Sequence, residues 1–536
     1  MLISLPIGIL LAAGLVILGV RWIWPRFPYT WLIAAASAGL CWLLTIYLRL
    51  RLPSTLSFPA WKPADLFHSS PVIVLDFVSW PFALALASLV LAEILTGVAR
   101  TQPQPGPSSW VAAVALGGLG LFGVMSGNPL TLLLAWGAAD LCEITIVLFN
   151  VHTREMSSRS VAAYAAKSAG LFFALWAVLT SRTHGPSLTW EMIQPGAALF
   201  LLLAAALRLG VLPLHLPFPT DPGIRRGLGT LLRLIPAASS LMLLARLPTT
   251  VAQEPWANLL VGFAALAGLY ASIMWTLAEN EISGRPYWLI GASSLAVISA
   301  LHGQPGASLA WGLVLLISGG LIFLYSAHGK RSALFWVLAA ACIAGLPFTP
   351  AAGGWAGLVG GAFSFWNILT VLTVEFLIFG FIRHATRASD DLSQMERWVQ
   401  SIYPSGLVVL VASELFLGYK GWEGSFTAGT WWVSVPVAAI ILWLSVWWAY
   451  RRGRAGSGQL SVPVPGWAYT TAVQGLNGLT GVLRLEWVYR LLWRALVQVD
   501  RILSALTTIF EGDGGVLWAL LLMTVIVTLL QVRVGP

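Results

Sequence analysis

The chain has 536 residues, 58% of them hydrophobic and only 10% charged, with a formal charge of +9 and a mean hydropathy of +0.82. A soluble protein of this size would carry too apolar a surface, so the composition predicts an all-α polytopic membrane protein without a sizeable water-soluble domain. Basic residues scattered through loops argue against a nucleic-acid footprint, and three cysteines far apart in apolar runs (Cys41, Cys142, Cys342) give neither a disulfide framework nor a metal site.

A helix needs about 20 apolar residues to cross the hydrocarbon core. On that basis spans are expected near 2–20, 29–48, 72–98, 109–126, 129–149, 160–181, 196–216 and 227–248. Further spans are expected near 256–278, 286–302, 305–327, 332–350, 354–383, 404–418, 429–450 and 515–532, about sixteen in all. The first run lacks a basic n-region and a small-residue cleavage site, which predicts a retained helix rather than a signal peptide.

The stretch 206–246 is the most informative. It places Arg208 and Arg233 inside apolar runs, with Pro213, Pro217, Pro219 and Pro222 between them. A cation at membrane depth costs at least ~2.5 kcal/mol on insertion scales, so it persists where it has a partner or a task. Proline frees helix carbonyls, which must then be satisfied by protein or a water-filled cavity. Charge beside broken helix is how ion-translocating membrane proteins build a midplane site. Other intramembrane charges are Glu93, Lys167, Glu375 and Glu414. Lys167 is the candidate switching amine and Glu375 the candidate second-half carboxylate. Structural pairing is the alternative for all four. Arginine stays protonated in proteins, so Arg208 and Arg233 read as fixed charges, with Asp140 or Glu143 as counter-ion.

Beyond the fifteenth span, 451–466 is a Gly/Pro/Ser-rich connection. Charges then recur among Leu, Val and Trp at helical spacing over 467–510, too often for a span, and predict an amphipathic helix along the membrane surface or along partner subunits. Of the thirty Lys and Arg, twenty fall in loops after odd-numbered spans, seven lie on the other side, and Lys167, Arg208 and Arg233 are intramembrane. The positive-inside rule therefore puts both termini outside and the basic loops and lateral helix in the cytoplasm, in a bacterial or archaeal-type cell membrane.

The two halves carry a matching feature. Gly-Val-Leu-Pro-Leu-His-Leu-Pro (210–217) is echoed five spans later by Ala-Gly-Leu-Pro-Phe-Thr-Pro (344–350). Broken helices five spans out of phase are the sequence sign of an inverted repeat, with Pro213, Pro217, Pro347 and Pro350 as the breakers. With these motifs in view, the chain resembles the antiporter-like membrane subunits shared by proton-pumping NADH:quinone oxidoreductase (complex I), multisubunit sodium/proton antiporters and membrane-bound hydrogenases. Arg-Leu-Gly-Val-Leu-Pro-Leu-His (208–215) is similar to that family's Lys-Ser-Ala-Gln-Phe-Pro-Leu-His. Segment 229–238 sits where the family has Ser-Ala-Leu-Ile-His-Ala-Ala, Leu-Asp-Phe-Val-Ser (75–79) resembles its Asp-x-Leu-Ser, and 344–355 is similar to its Ala-Gly-x-Pro-Pro-x-x-Gly-Phe. The lateral helix and final anchor resemble the distal, longest complex I subunit type.

The resemblance implies two inverted five-helix repeats with broken helices, a lateral helix and a final anchor. The division expected is 1–108 for helices one to three, 109–248 and 249–383 for the repeats, 384–450 for helices fourteen and fifteen, 451–466 for a linker, 467–514 for the lateral helix and 515–536 for the anchor. It implies a proton- or cation-translocating subunit of a complex I-like or antiporter assembly, itself non-catalytic, with other membrane subunits and the bilayer as partners. The ion path would run through Asp140, Glu143, Lys167, Arg208, His215, Arg233 and Glu375, with His215 in the hydrogen bonding of the broken helix. No cofactor or metal is expected. The chain departs from the family pattern at telling places: Trp136-Gly137 replaces its Trp-Glu pair, arginine stands at 208 and 233, and the twelfth-helix charge would fall near Gly357 or Leu358. Those departures keep a non-pumping structural paralogue open, and an unrelated stand-alone transporter is the third reading.

Overall fold

In the computed structural model the residues described are 2–59, 70–99, 106–150, 154–181, 190, 193–216, 224–328, 333–359, 364–386, 390–422, 435–436, 438–440, 443, 474–475, 478, 483, 486–510 and 513–532. They divide into two compact units, 1–476 and 477–536. The first unit holds fifteen α-helices among its described residues: α1 (Leu5–Ile23), α2 (Thr30–Leu48), α3 (Ser79–Thr96), α4 (Pro107–Val124), α5 (Pro129–Asn150), α6 (Arg154–Ser181), α7 (Pro195–Arg208), α8 (Arg226–Leu244), α9 (Ala257–Leu277), α10 (Glu281–Leu301), α11 (Pro305–Leu324), α12 (Ala333–Ala344), α13 (Pro350–Val359), α14 (Phe365–Ala385) and α15 (Arg397–Lys420). The second unit holds α16 (Glu486–Phe510) and α17 (Asp513–Val532).

Helix starts follow local chemistry. Proline occupies the first turn of α1, α4, α7 and α11, where its missing N–H costs nothing. Asn280 and Ser283 form a reciprocal capping box at the start of α10. Arginines close the opposite ends: Arg226 donates to the Phe323 carbonyl at 2.6 Å and Arg383 to that of Ala278 at 2.9 Å, so cations meet the negative ends of α11 and α9.

Eleven helices among the described residues are long and apolar enough to cross a membrane, and three shorter apolar ones are Gly196–Arg208, Leu334–Ala344 and Gly515–Thr528. The sequence reading of about sixteen spans differs from this in identifiable ways. Residues 72–75 pair as an antiparallel ladder, β2 (Val72–Leu75) on β1 (Ser54–Ser57), so the third helix begins at Ser79. The expected span 286–302 starts earlier, at Glu281, and α10 is not among the eleven. The expected 332–350 and 354–383 become three helices, because the chain breaks at 345–349 and again before Phe365. Most of the expected 429–450 span, and 451–466, lie outside the described residues. A two-residue parallel pair joins β3 (Ala327–His328) to β4 (Asp390–Asp391), and an isolated bridge joins Ile73 to Ser126.

Two helices form the centre of the first unit. The apolar windows of α8 and α11 are entirely buried, and the two pack on each other and on α3 and α10. Helices α4, α5 and α7 border α8, whereas α12, α13 and α15 border α11.

Both proline-rich segments break their helices in the same way. After α7, Gly210 takes φ +78°, its N–H bonds the Leu207 carbonyl at 3.1 Å, and Val211 N–H bonds that of Ala206 at 2.9 Å. After α12, Gly345 takes φ +83°, its N–H bonds Cys342, and Leu346 N–H bonds Ala341, both at 3.2 Å. This crossed pair is the Schellman motif, and the left-handed residue it needs is glycine in both. Pro350 then starts α13 at its first position, and Pro347 lies in the break. Pro217, Pro219 and Pro222 lie outside the described residues.

Candidate functional site

The break after α7 sets Arg208 as the last residue of that helix rather than in mid-span. A cation there faces the unsatisfied carbonyls of the last turn. On α5, Trp136, Asp140, Glu143 and Val147 are all buried, as their spacing of three and four residues on one face dictates. Lys167 and Gly170 bring α6 against the same face.

The side chains meet as two ion pairs. Arg208 grips Asp140 with a two-pronged fork, Nη2 to Oδ1 at 2.6 Å and Nη1 to Oδ2 at 2.7 Å, and Nη1 also donates to the Lys167 carbonyl at 3.2 Å. The side chains of that pair are 2% and 3% exposed. Lys167 pairs with Glu143 one turn along α5, at 4% and 9% exposure. Two cations and two carboxylates thus balance in a buried quartet. The Arg208 guanidinium also lies 4.4 Å from the centroid of the Trp136 ring, and Trp136 Nε1 donates to Ser239 of α8 at 2.8 Å. A methyl on Gly170 would stand 2.7 Å from Arg208 Cγ and 3.0 Å from the Ala204 carbonyl oxygen, so glycine is what lets α6 approach α7.

The other expected site residues distribute around this quartet. Of the two candidate counter-ions, Asp140 pairs with Arg208 and Glu143 with Lys167. Arg233 is buried in the middle of α8. His215 is 1% exposed in the turn after α7, its Nδ1 at 2.9 Å from the Pro213 carbonyl and its backbone N–H on Gly210. Glu375 is half-buried on α14, which packs on α9 and α12 rather than on the quartet's helices.

Gly137 and Gly357, at or beside the places where the resemblance implies a charge, are physically unlike. Nothing lies within 4 Å of a Cβ built on Gly137, so that place has room. A Cβ on Gly357 would fall 2.4 Å from Ser299 Oγ and 2.6 Å from the Ala307 Cβ, so that place is closed. The Gly357 carbonyl instead lies 2.7 Å from His302 Nδ1, at the end of α10. Local spacing does not reveal that contact, because the two residues lie 55 positions apart.

With this geometry in place, solved structures provide the comparison. A chain of the Mrp complex from Dietzia sp. DQ12-45-1b superposes with a TM-score of 0.67 at 16% identity, over 100% of this chain and 63% of that one. The two chains share a fold. A chain of the membrane-bound sulfane sulfur reductase, an archaeal respiratory membrane complex, gives 0.69 at 14% identity over 98% of this chain and 100% of its own. One from respiratory complex I of Thermus thermophilus with bound NADH gives 0.61 at 20%, over 82% and 99%. This chain therefore spans less than two thirds of the Mrp chain but nearly the full length of the other two. By sequence, no family model and no curated protein matches it.

Proposed function

We propose that this chain is an antiporter-like membrane subunit of a complex I-like respiratory or cation/proton antiporter assembly, and that it moves protons or cations through its buried charges. The observation that carries the reading is the quartet itself: Lys167 on Glu143 beside Arg208 on Asp140, at the break after α7. Lysine can give up its proton when a carboxylate retreats, whereas arginine cannot. In this scheme Lys167 and Glu143 are the moving pair. Arg208 and Asp140 hold a fixed field beside them, and His215 and Arg233 continue the path towards Glu375 in the second half. The matched breaks at Gly210 and Gly345 support an inverted repeat of five helices, 109–248 against 249–383, and the basic loops support both termini outside.

A second reading has an observation of its own. Near the place where the resemblance sets a twelfth-helix charge, the packing at Gly357 excludes a side chain and Leu358 is a fully buried apolar residue, which favours a structural paralogue that conducts nothing. Purifying the tagged chain from its native membrane in mild detergent, with mass spectrometry of its companions, tests the shared premise. Antiporter-like, quinone-site or hydrogenase-type subunits are expected, and a solitary chain would sink both readings. Ion flux of the intact assembly in liposomes then separates them. Lys167→Met abolishes flux through this subunit if it conducts and leaves total flux unchanged if it does not.

A further inference from the structure

Two buried acids among the described residues lie outside the quartet, Glu93 and Glu414. Glu414, on α15, is 1% exposed. The Ser318 hydroxyl of α11 donates to its Oε1 at 2.7 Å, the Cys342 thiol of α12 lies beside the same carboxyl, and Oε2 has no hydrogen-bond partner among the described residues. Four helices pack against α15: α3, α11, α12 and α13. None of them contains Lys, Arg or His. The titratable groups they bring are Glu93 on α3 and Cys342 on α12. Glu93 lies away from the carboxyl, since Ser88 meets Ser413 at 2.8 Å while the turn around Glu93 packs on Gly406. On α15 itself the cations are Arg397 at its start and Lys420 at its end, where the Lys420 ammonium lies over the Tyr419 ring and Arg49 donates to the Lys420 carbonyl at 2.9 Å.

An ionised carboxylate sealed among apolar helices, with no cation beside it among the described residues, is among the costliest arrangements a membrane protein can hold, and binding a proton removes that cost. We infer that Glu414 is a proton-binding site, carrying its proton between Ser318 and Cys342. Its place gives the proton a use. Cys342 stands three residues before the Gly345 break, and one turn beyond Glu414 a Cβ on Gly418 would lie 2.3 Å from the Phe348 carbonyl oxygen inside that break. The second half therefore has a titratable group on α15, beside its broken helix, where the helix itself has none at Gly357. This holds whether or not the chain conducts, so its test is independent of the assembly.

Infrared difference spectra of the purified full chain in lipid, at neutral pH, read the proton directly. Subtracting Glu414→Gln from the unaltered chain is expected to leave a carbonyl stretch of a protonated carboxyl, shifted in heavy water. Ser318→Ala keeps that band and moves it to higher frequency, and Glu414→Gln shifts the S–H stretch of Cys342. A difference spectrum showing carboxylate bands in place of the protonated carbonyl would overturn the inference. If Glu414→Gln fails to fold, Ser318→Ala decides: a displaced protonated-carboxyl band supports the site, and an unmoved one sinks it.

Discussion

Asp140 and Arg208 illustrate how a membrane-buried pair is kept. Alone, either charge would be prohibitive. Together they satisfy each other through two parallel hydrogen bonds, with a carbonyl and an indole face adding to the hold on the guanidinium. Removing one partner of such a pair costs about 3–5 kcal/mol, because the other is left charged and uncompensated. Asp140→Asn should therefore lower the melting temperature of the purified chain sharply, and Arg208→Lys less so, since an ammonium keeps the charge but loses the fork. Equal melting of all three chains would show that the fork stabilises nothing. Outside the spans, Asp76 caps α3 through the Val78 and Ser79 N–H groups and meets Arg246 at 2.9 Å. Burial alone would raise its carboxyl, but Arg246 and Ser79 outweigh that and hold it below its usual value of 3.8. A carboxyl depressed in the folded state stabilises above its unfolded value, and that contribution disappears as pH falls through the folded one. Melting measured on the acid side of about pH 4 should fall more steeply for the unaltered chain than for Asp76→Asn, and parallel curves would remove Asp76 from the account.

At the scale of the elements, the sequence disclosed positions better than lengths. Apolar runs located nearly every helix, and the echo of glycine followed by Leu-Pro located both breaks, because glycine and proline act on the backbone locally. Where each helix stops was less legible. Run length alone joins α7 to the turn after it and divides α12, α13 and α14 at the wrong places, since a hydropathy window does not register a left-handed glycine. The pairing of Lys167 with Glu143 was hidden for a different reason. Spacing identifies which residues share a face of α5, while the choice of partner depends on how closely α6 and α7 approach, which Gly170 settles. Close approach also makes a prediction at Gly418, where a methyl would meet the backbone of the break rather than a yielding side chain. Gly418→Ala should loosen α15 from 345–349 and destabilise the chain, whereas Gly353→Ala, whose methyl meets Trp422 at an ordinary 3.7 Å, should be tolerated. Limited proteolysis near the break, with thermal melting, compares them, and equal behaviour would mean that the break does not depend on α15.

For the whole molecule, the contrast between the two units carries the argument. Unit 1–476 encloses its own core, including the fully buried tryptophans 80, 136, 275, 288, 311 and 355, so its stability comes from contacts within itself. Unit 477–536 is different: Trp487, Leu491, Trp493, Val499 and Leu503 on α16, and nearly every described side chain of α17, are exposed in the isolated chain. On α16 the exposed Arg490, Arg494, Asp500 and Arg501 share the helix with those apolar groups. Such a helix gains little from its own chain and must find its environment in a lipid surface or in other subunits. Truncation after Leu476 should consequently leave the melting temperature of the remaining unit unchanged while stripping companion subunits from it during purification. If the truncated chain melts early, the second unit supports the first and α16 is a structural strap. If it melts normally and keeps all its companions, assembly runs through the helices of the first unit and the lateral helix serves the membrane surface alone.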